Sequence, residues 1–96
     1  MLIRERDTPE GLLVAVCDRD CLGETYADGE VSLTVTEEFY GGDPGDAEDV
    51  VDALRRASVA NLVGERCVDV AVDAGLVDEE NVLELEGTRH AQLLWL

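Results

Sequence analysis

The stretch ASVANLVGERCVDVAVDAGLV, residues 57–77, organises the reading of this chain. It reads as the end of one helix, a break at Gly64, and a second short helix over about residues 65–74 that stops at Gly75. Glycine suits both ends because it adopts the left-handed conformation that terminates many helices. Upstream, Asp46 is placed to cap the first helix, with Glu48 and Asp49 in the first turn where the helix dipole favours acids. Val50, Leu54, Ala57, Asn61 and Leu62 recur at helical spacing, and Asp52, Arg55 and Arg56 lean outward. Cys67, Val70, Ala71 and Ala74 form the apolar stripe of the second helix.

The flanking segments read as strands. Residues 2–6 (LIRER) and 12–17 (LLVAVC) are joined by a turn-forming DTPEG, with Leu2, Arg4 and Arg6 on one face of an expected edge strand. Residues 12–17 are apolar on both faces, which predicts a central strand. A single helical turn is expected within 18–23. Residues 30–36 (EVSLTVT) alternate, with Val31, Leu33 and Val35 inward. Residues 37–46 (EEFYGGDPGD) read as a loop, broken by glycine and proline. Residues 81–86 and 90–96 complete a hairpin through Gly87, Thr88 and Arg89. The order β-β-β-α-α-β-β predicts an α+β two-layer sandwich: a mostly antiparallel sheet with two helices packed on one face, one domain over residues 1–96.

Composition narrows the function classes. The chain has 96 residues, 23 Asp and Glu against 7 basic residues, and a net charge of −16. Every basic residue is arginine. The acids are scattered along the chain and not gathered in one tail, which favours adaptation to molar salt over the other reading of the charge, an acidic interaction surface for a basic partner. At about 1 M salt the Debye length is about 3 Å, so net charge no longer forbids contact with nucleic acid. No apolar run approaches the roughly 20 residues that span a bilayer, and residues 1–7 lack a signal-peptide pattern, so a cytoplasmic, membrane-free protein is expected. Three cysteines there are expected to be reduced.

Residues 60–66 (ANLVGER), 75–82 (GLVDEENV) and 87–92 (GTRHAQ), together with residues 1–6, Cys17-Asp18, Leu22-Gly23 and Phe39-Tyr40, resemble an archaeal family, domain of unknown function family 424. The likeness covers nearly the full chain. It departs at Thr88-Arg89, where a valine-proline-like pair is expected before the histidine. The resemblance implies an archaeal cytoplasmic protein with a two-layer α/β fold and no assigned activity. It also implies a neighbourhood of translation genes, including the beta subunit of an initiation factor. The acidic excess fits a halophilic member.

Several residue sets compete as sites. Cys17, Cys21, Cys67 and His90 have the ligand count of a zinc site, but their spacing is poor and Cys67 lies on the core stripe, so no cofactor is expected. His90 paired with Cys17 or Cys21 is the corresponding enzyme reading; no nucleophile elbow, oxyanion-type glycine turn or neighbouring histidine supports it. Asn61, Arg66, His90 and Gln92 are candidates for a small polar binding patch, against a bland reading of a cap and a surface ion pair. Arg4, Arg6, Arg55 and Arg56 are candidates for phosphate or RNA contact, against ion pairing with the abundant acids. Phe39 and Tyr40 either stack on a base or plug the sheet edge. A helix-turn-helix over residues 47–74 would present Glu65, Asp69 and Asp73 to DNA, which excludes DNA reading there. An apolar patch at Leu94 and Leu96 would mark a structural subunit of a complex. The function expected is a non-catalytic accessory factor whose partner is the ribosome, RNA or an initiation-factor protein. The alternative is a small enzyme or zinc protein.

Overall fold

The computed structural model describes residues 1–94. The strands are β1 (Leu2–Thr8), β2 (Gly11–Cys17), β3 (Thr25–Asp28), β4 (Val31–Thr34), β5 (Asp43–Pro44), β6 (Val59–Val63), β7 (Leu83–Leu85) and β8 (Thr88–Leu94). The helices are α1 (Glu37–Tyr40), α2 (Ala47–Arg56) and α3 (Glu65–Asp73), with 3-10 turns at Arg19–Cys21 and Glu79–Asn81. A 6-stranded sheet runs in the order β5-β1-β2-β6-β8-β7, and β3 and β4 form a separate hairpin. All neighbours in the large sheet are antiparallel except β2 and β6. The α+β class and the mostly antiparallel sheet agree with the sequence reading.

Residues 57–63 do not continue the helix. α2 stops at Arg56, and Val59–Val63 form β6, hydrogen-bonded to β2 on one side and β8 on the other. The helical spacing of Ala57, Asn61 and Leu62 is coincidental: β6 buries Ala60, Leu62 and Val63, while Val59 and Asn61 are half-buried. Periodicity does not separate such a short run from a buried helical turn. The expected α-α pair is therefore α-β-α, which also removes the helix-turn-helix.

Smaller differences follow the same logic. The stretch read as a loop contains α1, capped by Thr36 through the Phe39 N–H, and the short β5. A strand that was not expected, β3, pairs with β4 across a turn in which Gly29 has φ 63°. Val31 is 53% exposed and so is not inward, whereas Val35, just past β4, is fully buried. The hairpin before β8 turns at Gly87, with Thr88 and Arg89 already in the strand. Asp46 does cap α2, in a reciprocal capping box with Asp49.

The sheet is covered by helices on one face and partly covered on the other. α2 and α3 bury Val14, Val16, Leu62, Ala91 and Leu93 on one face, with Leu54 and Val68 supplied by the helices. The β3–β4 hairpin, α1 and the turn at Arg19–Cys21 cover part of the other, closing a smaller core of Ala15, Cys17, Cys21, Val35, Tyr40 and Val63. No described helix is long and apolar enough to cross a membrane.

Candidate functional site

Register decides what the second face presents. Strand pleating puts directly paired residues on one face. One row across the sheet is Arg6, Leu13, Val59 and Leu94, and the next is Arg4, Ala15, Asn61 and Gln92. A third row, Leu2, Cys17, Val63, His90 and Leu83, runs under the hairpin and α1. The first row is open: Leu94 is 61% exposed, and Leu13 and Val59 are only half-buried. Leu83, at the end of the third row, is 42% exposed. Half of this sheet face is therefore aliphatic and uncovered, with an amide rim of Asn61 and Gln92.

The structure brings together three of the four polar-patch candidates. Asn61 and Gln92 are paired neighbours, and His90 lies one row away on the same face. The Nδ1 of His90 is 2.9 Å from the Leu62 carbonyl oxygen, which holds the ring against the backbone. Arg66 stands apart at the start of α3, where it lines a cleft with Met1, Asp18, Arg19 and Asp20.

Of the arginines considered for phosphate or RNA, most have intramolecular partners. Arg4 donates to the Gly41 carbonyl at 2.8 Å and Arg6 to the Glu38 carbonyl at 3.0 Å, so both bind the last turn of α1. Arg56 makes a forked pair with Glu5 at 2.7 and 2.9 Å and also reaches Asp52. That guanidinium holds the Glu5 carboxyl below its ordinary range. Arg55 is exposed and, among the described residues, makes no ion pair. Arg89, assigned no role from sequence, sits between Asp69, Glu79 and Glu84 with a side chain only 13% exposed. It ties α3, the 3-10 turn before β7 and the β7–β8 hairpin together. The acids that surround it come from three separate segments, so only the fold reveals the cluster.

The zinc candidates are divided by the sheet. Cys17 and Cys21 belong to the hairpin-side core and Cys67 to the helix-side core, so the four proposed ligands do not converge. Burial pushes the Cys17 thiol up to about 11, helped by Cys21 and Asp18 nearby. Burial and Asp18 push the Cys67 thiol up as well. A protonated thiol is a poor nucleophile and a poor ligand, which argues against Cys17 as a nucleophile beside His90. A different trio, Asp18, Asp20 and Cys21, places one ligand atom of each within 4.8 Å of the others. Both oxygens of Asp18 are already engaged, accepting the Arg66 and Cys67 N–H groups at 2.9 and 3.0 Å. Asp18, 7% exposed, thus caps α3 from the end of the neighbouring strand β2.

Phe39 and Tyr40 meet edge to face, with ring centroids 4.9 Å apart. Tyr40 is buried against Cys17 and Phe39 is half-buried, so this pair plugs the sheet. Leu94, one of the two leucines considered for an apolar patch, is exposed; Leu96 lies outside the described residues.

No curated protein matches this chain. The crystal structure of an uncharacterized conserved protein from Methanopyrus kandleri resembles it with a TM-score of 0.79 and 29% identity, covering 99% of this chain and 92% of that one. A family model described as protein of unknown function (DUF424) matches residues 5–96. Sharing that family's pattern over nearly its whole length, the chain belongs to the DUF424 family.

Proposed function

We propose that this chain is a cytoplasmic, non-catalytic accessory factor of the translation machinery that docks a protein partner on the open half of its sheet. The observation that carries the docking is the uncovered row Leu13, Val59 and Leu94 beside Asn61 and Gln92. A row of aliphatic side chains with an amide rim matches the core-and-rim anatomy of protein interfaces. It suits RNA less well. Sheets that bind single strands offer aromatic faces and free cations, and here Phe39 and Tyr40 are packed into the core and Arg4 and Arg6 are bound to α1. The translation assignment rests on the gene neighbourhood that the family resemblance implies, and the partner fitting it is an initiation-factor subunit or a ribosomal protein.

The test is affinity capture from an archaeal lysate in molar KCl, with and without ribonuclease, using wild type and Leu94→Asp. Wild type is expected to recover those proteins in near-stoichiometric amount after ribonuclease treatment. A charge in place of a leucine that gains about 1.5–3 kcal/mol on burial should weaken capture about ten- to hundredfold. Equal capture by the variant, or none by wild type, would sink the proposal; loss on ribonuclease treatment would make RNA the partner.

We also propose that the acidic surface is an adaptation to high salt. With 23 acids against 7 bases, self-repulsion opposes the compact state wherever screening is weak. Raising KCl from about 0.1 M to about 1 M shortens the Debye length from about 10 Å to about 3 Å, and the thermal midpoint should rise with it. A midpoint that stays flat or falls would remove this reading.

A further inference from the structure

β2 and β6 are parallel neighbours, so their carboxyl ends lie side by side. From there the chain departs towards opposite faces. After β2, the turn at Arg19–Cys21 sends Cys21 into the hairpin-side core; after β6, α3 sends Cys67 into the helix-side core. Divergence of this kind leaves a crevice beyond the strand ends, and open sheets with parallel strands take ligands there. A cleft of about 370 Å³ occupies that position, lined by Met1, Asp18, Arg19, Asp20 and Arg66.

We infer that this cleft binds the phosphoryl group of a small phosphorylated molecule through Arg19 and Arg66. Four other arginines have intramolecular partners: Arg4, Arg6, Arg56 and Arg89. Among the described residues, the side chains of Arg19 and Arg66 make neither an ion pair nor a hydrogen bond, and both line this one cleft. A guanidinium fork matches phosphate oxygens geometrically, and two of them facing one cleft give a local cationic spot on a chain of net charge −16. The first N–H groups of α3 are answered by the Asp18 carboxylate, so the attraction for an anion comes from the arginines and not from the helix end. Two carboxylates oppose them: Asp20, exposed and on a turn, and Asp18, whose two oxygens are held by the Arg66 and Cys67 N–H groups. Among the described residues no aromatic side chain lines the cleft, which fits a phosphate or pyrophosphate moiety. The site is distinct from the docking face, because Val59 and Leu94 lie at the opposite end of β6.

The probe is pyrophosphate, titrated calorimetrically into the full chain at fixed KCl concentration. Wild type, Arg19→Gln, Arg66→Gln, the double variant and Arg55→Gln as a control are compared. Wild type should show saturable binding at one site. Each cleft substitution should weaken it about tenfold or more, and Arg55→Gln should leave it unchanged. Exposed side chains are replaced, so thermal midpoints without pyrophosphate should coincide. The inference is overturned if wild type gives no saturable heat at millimolar pyrophosphate, if the double variant binds as tightly, or if Arg55→Gln weakens binding as much.

Discussion

Gly64→Ala is expected to destabilise the protein by about 2–6 kcal/mol, combining strained backbone of about 1–3 with overpacking of about 1–3. Gly64 joins β6 to α3 with φ 131° and ψ 147°, a conformation that side-chain-bearing residues avoid. A Cβ there would lie 2.3 Å from the Asp18 Cγ and 2.5 Å from its Oδ2. Asp18 cannot swing aside cheaply, because it is buried and accepts the first N–H groups of α3. The loss is large against the about 5–15 kcal/mol that holds a typical domain folded. Denaturant unfolding of the two proteins at one salt concentration measures it. Gly75→Ala is the comparison: its φ is 74°, but nothing lies within 4 Å of the added carbon, so only the backbone cost applies. Equal losses at the two glycines would refute the close approach of Asp18. A coupling of opposite sign in the Asp18→Ala, Gly64→Ala double variant, with relief of strain, would support it.

Leu62→Ala is expected to cost about 2–5 kcal/mol, the range for truncating a fully buried leucine. Leu62 has 0% exposure and sits in register between Val16 of β2 and Ala91 of β8, packed under α2 and α3. The cavity would open at the centre of the main core, where flanking strands cannot collapse into it without shifting register. Hydrogen exchange supplies a second readout: amides of β6 and its neighbours should lose protection together. A loss of less than about 1 kcal/mol would place Leu62 at a periphery and contradict the central position of β6.

The contrast between β2 and β6 shows where the chain was readable. Both are apolar on two faces. Residues 12–17 were recognised as a central strand because a turn precedes them and six apolar residues run without a polar break. Residues 59–63 carry Asn61 within the run and directly follow a well-capped helix, so they joined its pattern. Their strand state is decided by hydrogen bonds to β2 and β8, residues far away in the chain. The candidate sites divide in the same way. Asn61, His90 and Gln92 were chosen from sequence and do share a face. Leu13 and Val59 gave no local signal, because their alignment with Leu94 exists only once three strands are in register. Arg19 was passed over for the same reason: it meets Arg66 only where two parallel strands end together.

The sequence by itself determined the α+β class, the Asp46 cap of α2, the central place of residues 12–17, the acidic surface and the family. Each follows from composition, from contacts within a few residues, or from a residue pattern. Only the tertiary structure decided that β6 is a strand, that Asp18 caps α3, that the cysteines lie in separate cores, and that half a sheet face stays open. Those outcomes depend on register and on which segments meet across the sheet, and a short apolar run carries no local energy difference large enough to choose between them.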